Sequence, residues 1–504
     1  MPKIFENIMK SRPRYSAFDL SHERKLSFNM GDLVPCYLDE VLPGDHFKVK
    51  TETMLRMAPM LAPVMHRLNV YVHYFFVPNR IIWSDWESFI TGGKDGLSAP
   101  TFPTKNFSEA SGQVGTIKGS LVDHMGLPDV NDGNLEFSQL PFRAYQQIYN
   151  DYYIDPNLGT PVDVLAGGDD IFDMQKRAWE KDYFTSALPF SQRGADVDIP
   201  VGFSYKDTSE VIRDDGTALG AGSHDLRATA AAGASGGNYR SIEASTEGDV
   251  RIENLEQGQV NVDIRELRRS SALQRWLELN ARGGYRYVEQ LLSHFGVKSP
   301  DARLQRAEYL GGGRQPVVFS EVLNTTGTAT APQGDMTGHG ISVGSTNQFR
   351  KSFDEHGYVM GVLSVLPRTI YQQGVPRHFM RKDKLDYYFP EFANIGEQEI
   401  KNHELYYTGS GSDSVSDDTF GYQQRYAEYK HACGSVHGDF KDTLNFWHMG
   451  RIFSSQPALN ESFMKSDPTN RIFAVATGDK LWCQLYNEVH ARRPMPYFSN
   501  PKLS

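Results

Sequence analysis

The chain has 504 residues, 39% of them hydrophobic and 12% aromatic, and its formal net charge is −10. This length suits two to four ordinary domains or one β-domain with large insertions, and the aromatic content supports a real core. The negative charge argues against a protein that coats nucleic acid over its whole surface, although it allows one locally basic face. The 45 glycines and 26 prolines indicate many turns and few long helices.

The sequence carries no signal for membrane insertion or for secretion. No apolar run approaches the ~20 residues of a membrane span, and the N-terminal segment lacks the apolar core of a signal peptide. We therefore expect a soluble protein that is made in the cytoplasm. The three cysteines, Cys36, Cys433 and Cys483, form no C-x-x-C pair, so neither a disulfide framework nor a cysteine zinc site is expected.

The N-terminal part of the chain predicts strands separated by prolines. Residues 1–30 are basic at the start and predict a solvated N-terminal arm, or an arm that lies along another subunit or a polyanion. Residues 31–45 predict an edge or connecting strand followed by a turn. Strict alternation over residues 46–57 predicts a half-exposed antiparallel strand. Residues 68–77, rich in β-branched and aromatic side chains, predict a buried strand that Pro78 ends.

The middle of the chain, residues 93–260, predicts a long insertion region. A helix is indicated within it because aromatic and aliphatic residues recur at helical spacing, at Phe142, Tyr145, Ile148, Tyr149 and Tyr152. Residues 205–250 are rich in Ala, Gly, Ser and Thr and cannot bury enough apolar surface for a core of their own. Residues 261–296 predict a helical hairpin, and residues 325–350 a second loop insertion.

The basic face of the first hairpin helix has two interpretations. Four arginines could contact phosphate, or they could form an ordinary solvated face: Arg265, Arg268, Arg269 and Arg275.

The C-terminal third returns to β-patterns. Residues 358–366 predict a buried strand ended by Pro367, and strand-like runs follow at residues 441–449, 471–476 and 481–490. The tail, residues 491–504, contains too many prolines to continue a sheet. Strands separated by long insertions, without regular βαβ alternation, indicate an antiparallel sandwich.

The sequence contains no catalytic motif in a context that would support catalysis. Residues 340–344 match the G-x-S-x-G pattern of a nucleophile elbow, but they lie in a Gly/Thr-rich stretch and no helix is predicted to follow. There is no H-E-x-x-H motif, and His431 and His437 beside Cys433 lack further ligands of metal-site spacing. We therefore expect no catalytic residue, no metal ligand and no cofactor.

Several long segments, in one collinear order, resemble a known family. They are FDLSHERKLSFNMGDLVPCYLDEVLPGDHFKV, MAPMLAPVMHRLNVYVHYFFVPNRIIWSDWESFITGG, SVLPRTIYQQGVPR, YYFPEFANIGEQEI, DFKDTLNFWHMGRIF and RRPMPYF. These segments resemble the major capsid proteins of the Microviridae, small tailless icosahedral phages with single-stranded DNA, and especially the gokushovirus type. The resemblance extends from about residue 14 to residue 498 and is weakest across residues 100–260 and 325–350.

The resemblance implies a mainly β fold, an eight-stranded antiparallel jelly roll with large loop and helical insertions, built as a single domain over residues 1–504. It implies self-assembly into a T=1 icosahedral shell that encloses a single-stranded DNA genome, as part of the virion. Further expected partners are minor capsid or scaffolding proteins and a host surface receptor. By analogy with the family, residues 205–250 are the candidate three-fold protrusion that contributes to host attachment, and residues 325–350 compete for that role.

Two sets of residues are proposed for these roles. Basic residues near the chain ends could face the DNA: Arg12, Arg14, Arg492 and Arg493. Exposed aromatic residues could anchor contacts between subunits, because aromatics are enriched there: Trp83, Trp86, Tyr387, Tyr388, Phe389, Phe446 and Trp447. Packing within the subunit is an equal alternative for the aromatic set. A jelly-roll carbohydrate-binding protein or glycosidase is the alternative function, because aromatic platforms and carboxylates would also serve it.

Overall fold

A computed structural model describes residues 13–106, 118–128, 136–195, 197, 202–203, 211–213, 250–252, 260–261, 264–283, 292–296, 305–323, 325, 336–407 and 417–498. The chain divides into two compact units, one formed by Met1–Ser191 with Asn280–Ser504 and the other by Gln192–Leu279. The expected insertion region, residues 93–260, is divided between them, with residues 93–191 in the first unit.

Twenty strands lie in the described part of the chain. They are β1 (Ser16–Asp19), β2 (His22–Phe28), β3 (Val34–Val41), β4 (His46–Met57), β5 (Leu68–Pro78), β6 (Thr104–Asn106), β7 (Glu136–Ser138), β8 (Gly202–Phe203), β9 (Val211–Arg213), β10 (Val250–Ile252), β11 (Val260–Asn261), β12 (Glu308–Pro316), β13 (Val318–Leu323), β14 (Met336–Ser352), β15 (Gly357–Pro367), β16 (Ile370–Tyr371), β17 (Gln398–Lys401), β18 (Thr419–Gln423), β19 (Gly434–Ser435) and β20 (Leu481–Arg493).

Two antiparallel sheets dominate the first unit. The six-stranded sheet has the order β1-β20-β4-β14-β13, with β2 also paired to β20, and the four-stranded sheet has the order β12-β5-β15-β3. Eight of these strands pair in a nested sequence, β2 with β20, β3 with β15, β4 with β14 and β5 with β12. The first strand of the set therefore pairs with the last, the second with the last but one, and the remaining four strands pair in the same nested order.

The sheets pack face to face across one apolar core. The core takes Phe47, Val49 and Leu55 from β4 and Leu485 from β20, with many side chains of β3, β5 and β15 opposite them. The alternation along β4 explains how this strand contributes to the core. Its odd-numbered residues are buried, while most of its even-numbered residues are exposed. The predicted half-exposed strand over residues 46–57 is confirmed at both ends.

The four-stranded sheet is covered on its second face as well. A second core joins Phe75 and Val77 of β5 and Met360 of β15 to the helix Leu140–Ile148. Burial on both faces explains the near-continuous apolar sequences of β5 and β15, which polar alternation does not interrupt. The predicted buried strands and the predicted tyrosine-rich helix are confirmed, and a π-helical turn, Tyr149–Tyr153, extends that helix.

The other described elements are short, apart from one helix of 20 residues, Ile264–Gly283. The remaining α-helices are Asn79–Ile82, Trp86–Thr91, Leu121–Met125, Asn402–Leu405 and Glu461–Met464. The 3₁₀ helices are Asp169–Phe172, Arg377–Phe379, Lys384–Asp386, Pro390–Phe392, Ala427–Tyr429, Gly438–Lys441 and Asn445–Trp447. A third apolar cluster contains Tyr183, Phe184, Tyr371 and Phe420. The helices Asn402–Leu405, Ala427–Tyr429 and Glu461–Met464 also contribute side chains to it.

The structure corrects the expected boundaries at the chain ends. Residues 1–30 are not wholly an arm, because β1 and β2 pair with β20; residues 1–12 lie outside the described residues. The tail begins later than residue 491, because β20 continues to Arg493 opposite β1 and β4.

Three internal predictions also change. Residues 336–350 are not a loop insertion but most of β14, which pairs with β4 and β13. The expected strands over 441–449 and 471–476 are wrong, since 3₁₀ turns and bends occupy them. Of the expected hairpin over 261–296, the helix Ile264–Gly283 is present and residues 292–295 are helical, while residues 284–291 lie outside the described part of the chain.

Candidate functional site: surfaces for assembly and nucleic acid

An exposed aromatic patch covers the turns between β16 and β17 and the 3₁₀ turn Ala427–Tyr429. Its members are large apolar side chains that each leave about two fifths or more of their surface exposed: Phe379, Leu385, Tyr387, Tyr388, Phe389, Ile395 and Tyr429. We call this set the aromatic patch. Three of the sequence-predicted interface residues, Tyr387, Tyr388 and Phe389, lie in it. Several large apolar side chains left exposed in one region are typical of contact sites on proteins.

Hydrogen bonds to the backbone fix the turns that carry the aromatic patch. The hydroxyl of the buried Tyr426 donates to the carbonyls of Leu385 and Tyr387, both at 3.0 Å. Asp386 accepts from the backbone N–H groups of Lys382 and Asp383, both at 2.9 Å, and these bonds lower the pKa of its carboxyl group. The exposed rings are therefore held on a preorganised surface, which reduces the entropy lost on binding.

Paired charges lie beneath and beside the rings. The Arg381 guanidinium lies 4.3 Å from the centre of the Tyr429 ring and donates to Glu428 at 3.3 Å. Arg377 donates to the buried Glu404 at 2.8 Å. Burial raises the pKa of Glu404, while Arg377 favours its charged form. A cleft of about 640 Å³ opens here, lined in part by Phe379 and Tyr429.

The remaining predicted interface aromatics lie elsewhere. Trp83 is 5% exposed and packs against Phe89 and Phe102 within the second core, so its assignment as a subunit contact is wrong. Trp86 is half-buried against the same core. Phe446 and Trp447 are also half-buried, on the 3₁₀ turn Asn445–Trp447.

The predicted DNA-facing arginines do not form one cluster. Arg12 lies outside the described residues, and Arg14 is exposed. Arg492 is exposed, and its guanidinium lies 4.9 Å from the centre of the Tyr15 ring. Arg493 turns toward its own subunit, where it donates to the Glu40 carbonyl at 2.6 Å and lies 3.5 Å from the Asp45 carboxylate. The assignment of Arg493 to DNA is therefore corrected.

A basic row that sequence reasoning missed crosses the exposed face of the six-stranded sheet. Lys48 of β4 lies directly opposite His490 of β20 and Arg350 of β14, and all three side chains are exposed. Two residues further along the same strands, Arg492 lies opposite His46. We call these five residues the basic row. Lys48, Arg350 and His490 are far apart in the sequence, so only the strand register brings them together.

No enzymatic arrangement is found among the described residues. Ser342, the serine of the G-x-S-x-G match, is buried within β14 and donates to the Pro316 carbonyl at 2.9 Å. It therefore does not lie on a turn from a strand to a helix. Within the described ranges, no three His, Cys, Asp or Glu side chains are grouped so that they could hold a metal ion. No described helix has the length and apolar character needed to cross a membrane.

Comparison with known proteins decides the family. The model of the phage capsid protein (F protein) family matches residues 7–503. The chain belongs to this capsid protein family. It is similar to capsid protein VP1 of Chlamydia phage 1, with 33% identity over 100% of this chain and 98% of that protein. Similar matches are VP1 of Bdellovibrio phage phiMH2K, 36% identical over 94% and 92%, and VP1 of Spiroplasma virus 4, 31% identical over 97% and 95%.

The family assignment establishes the general role of the protein. It is a structural capsid protein of a bacteriophage virion rather than an enzyme. The glycosidase alternative is therefore rejected, and the aromatic surface is to be explained by assembly. The recognised resemblance to Microviridae capsid proteins is confirmed.

Proposed function

We propose that copies of this capsid protein assemble into a closed T=1 icosahedral shell around a single-stranded DNA genome, with an eight-stranded jelly roll as the subunit framework. The observation that carries the proposal is the aromatic patch, a preorganised apolar surface on a protein whose family forms capsids. The nested strand pairs support the jelly roll, because a long antiparallel hairpin rolled into two facing sheets pairs its strands in this order.

The aromatic patch suits contacts between identical subunits. Aromatic side chains dominate the energetics of protein interfaces, and their truncation at a hot spot costs about 2 kcal/mol or more. A shell multiplies each contact over all of its subunits, so individually modest contacts suffice to close it. Loss of even one hot-spot ring should therefore weaken each contact about 30-fold or more.

The test is assembly followed by negative-stain electron microscopy, with the protein produced together with its neighbouring genes. The wild type should give uniform closed shells of T=1 size. The Tyr387→Ser/Phe389→Ser variant should give folded subunits but few shells. A control, Tyr407→Ser/Phe498→Ser, removes two exposed rings outside the aromatic patch and should assemble normally.

The outcomes separate two parts of the proposal. Normal shells from the patch variant would reject the aromatic patch as a contact while leaving the shell itself intact. Wild-type protein that forms only single subunits or small rings in the presence of its neighbouring gene products would reject the shell. Minor capsid or scaffolding partners are implied if shells form only when the neighbouring genes are present.

We further propose that residues 205–250 form a surface insertion that contributes to host attachment. Its composition is unsuited to a core, and strands β9 and β10 pair antiparallel at its ends, with Arg213 opposite Val250. Because these ends are adjacent, a two-residue Asn-Gly turn can replace residues 214–249. The shortened protein should still form shells, but phages that carry it should lose adsorption to host cells; unchanged adsorption would contradict the assignment.

A further inference from the structure

The exposed face of the six-stranded sheet differs from an ordinary solvated face in its arrangement of charge. Directly opposed side chains on neighbouring antiparallel strands lie with their Cβ atoms about 5 Å apart. Within the basic row, Lys48 therefore lies between Arg350 and His490. Arg492 and His46 form the adjacent opposed pair, about 7 Å further along the strands. Five basic side chains from three strands thus share one end of the face.

Like charges directly opposite one another destabilise a sheet. Neither Lys48 nor Arg350 forms an ion pair with any described residue. The adjoining positions toward the other end of the face are different, since Lys50 pairs with Glu52 at 3.0 Å. An uncompensated pair of this kind on neighbouring strands at one end of the exposed face favours a surface that binds an external anion.

The acidic groups around the basic row offset only part of its positive charge. His490 lies 3.2 Å from Glu488 on its own strand and opposite Asp19 of β1. Both carboxylates lie on the β20 side of the row, away from Arg350 of β14. The uncompensated charge is therefore concentrated on Lys48 and Arg350.

Aromatic side chains share the same face. Tyr486 and Trp482 of β20 alternate with core residues on the side of His490 and are 41% and 48% exposed. Tyr15 lies beside the row, with its ring centre 4.9 Å from the Arg492 guanidinium. Proteins that bind single strands combine basic side chains along the backbone with aromatic platforms on which bases stack.

We propose that this sheet face binds the single-stranded DNA genome, with the basic row on the phosphates and Tyr486 and Trp482 stacked on bases. The inference rests on the proposed encapsidation of single-stranded DNA and names the surface responsible for it. Bases are available for stacking only in an unpaired strand, so the aromatic members predict a preference for single-stranded over duplex DNA. Backbone contacts alone would give binding without sequence preference.

The test uses the purified full-length subunit before assembly and a short fluorescent poly-thymidine strand, with binding followed by anisotropy at several salt concentrations. The Lys48→Ala/Arg350→Ala variant should lose about tenfold or more in affinity at low salt. Its plot of log affinity against log salt should flatten by about 1.4, because each phosphate contact on a single strand contributes about 0.7 to the slope. The control Lys430→Ala/Lys441→Ala removes the same charge at exposed positions outside the sheet.

The aromatic members have a separate signature. Tyr486→Ala should reduce affinity on the order of tenfold while leaving the salt slope unchanged, because stacking releases no counterions. Equal loss in the basic-row variant and its control would overturn the proposal, since net charge alone would then explain binding. Equal affinity for duplex DNA of the same length would overturn the single-strand assignment.

The proposed function and this inference fail in different ways. Wild-type shells that contain DNA, together with unaltered binding by the Lys48→Ala/Arg350→Ala subunit, would reject the sheet face while the shell remains established. Absence of closed shells from wild-type protein would reject the proposed function whatever the binding data show. Shells of the variant that form normally but retain less DNA than control shells would support both.

Discussion

Replacement of Asn487 by Leu should destabilise the subunit by about 2–4 kcal/mol, because this side chain connects the two sheets. Asn487 of β20 is fully buried; its amide oxygen accepts from the Thr51 hydroxyl at 2.7 Å, and its amide nitrogen donates to the Cys36 carbonyl at 3.2 Å. Tyr74 of β5 in turn donates to the Thr51 hydroxyl. The register of β3 on β15 is irregular at Cys36, the residue whose carbonyl accepts from Asn487.

The magnitude follows from the groups left without partners. Leucine has the same branched shape and number of heavy atoms as asparagine, although its methyl groups are bulkier, and it can neither accept from Thr51 nor donate to Cys36. Each buried polar group left unsatisfied costs about 1–3 kcal/mol. The additional apolar surface of leucine offsets part of that loss.

The assay is urea unfolding of purified, unassembled subunits, followed by tryptophan fluorescence and circular dichroism. The exposed Asn470→Leu is the matched control and should change the free energy of unfolding by less than about 0.5 kcal/mol. Thr51→Ser, which keeps the hydroxyl group, should cost clearly less than Thr51→Val. If Asn487→Leu is as stable as its control, the inter-sheet hydrogen bonds do not stabilise the fold as argued.

Three further predictions concern stability and accessibility. Burial raises the pKa of Asp32 to about 6; the folded state therefore holds this proton more tightly than the unfolded state, and the free energy of unfolding falls as pH rises from about 4 to about 6. Asp32→Asn should gain up to about 2 kcal/mol at pH 7 and nothing below pH 4 in urea titrations, and an equal gain at both pH values would contradict the assignment. Gly361→Ala should cost about 1–3 kcal/mol by thermal unfolding, because the added Cβ would lie 2.9 Å from the Tyr37 Cβ atom in the core; unchanged stability would mean that the core relaxes freely. A thiol reagent should label Cys433 in the native subunit and the two buried cysteines only after unfolding, and labelling of all three at one rate would contradict the described burial.

Two kinds of strand were predicted well from the sequence: a strand with one buried and one exposed face, and a strand buried on both faces. Residues 46–57 alternate because one face of β4 meets the core and the other meets solvent, so both ends of the strand could be predicted from the pattern. Residues 357–367 were recognisable for the opposite reason, since β15 is buried on both faces and is apolar almost throughout.

Strand β14 was missed for a physical reason. Its register on β4 shifts between Gly344 and Asn347, so the buried positions are even-numbered before this bulge, as at Ser342, and odd-numbered after it, as at Phe349. A period-two pattern that changes phase in mid-strand resembles a loop when it is counted along the sequence. The many small residues of this strand weaken the signal further.

The false strands near the C-terminus have a related explanation. Apolar residues alternate over residues 441–449, but none of the described strands pairs with this segment. Instead the Arg471 guanidinium donates to the backbone carbonyls of Asn445 at 2.8 Å and of His448 and Gly450 at 2.9 Å. A side chain from outside the segment thus takes the acceptors that a sheet partner would use, and local periodicity contains no sign of it.

The two candidate surfaces follow from how the sandwich is covered. The four-stranded sheet carries the helix Leu140–Ile148 on its outer face, so it offers no broad face to a partner there. The six-stranded sheet keeps one face exposed along β4 and β20, and that face carries the basic row. The aromatic patch, by contrast, lies on the turns between β16 and β17, which Tyr426 fixes, and on the 3₁₀ turn Ala427–Tyr429. Assembly and genome binding are thus assigned to elements of different kinds, a regular sheet and ordered turns, and variants of one surface leave the side chains of the other unchanged.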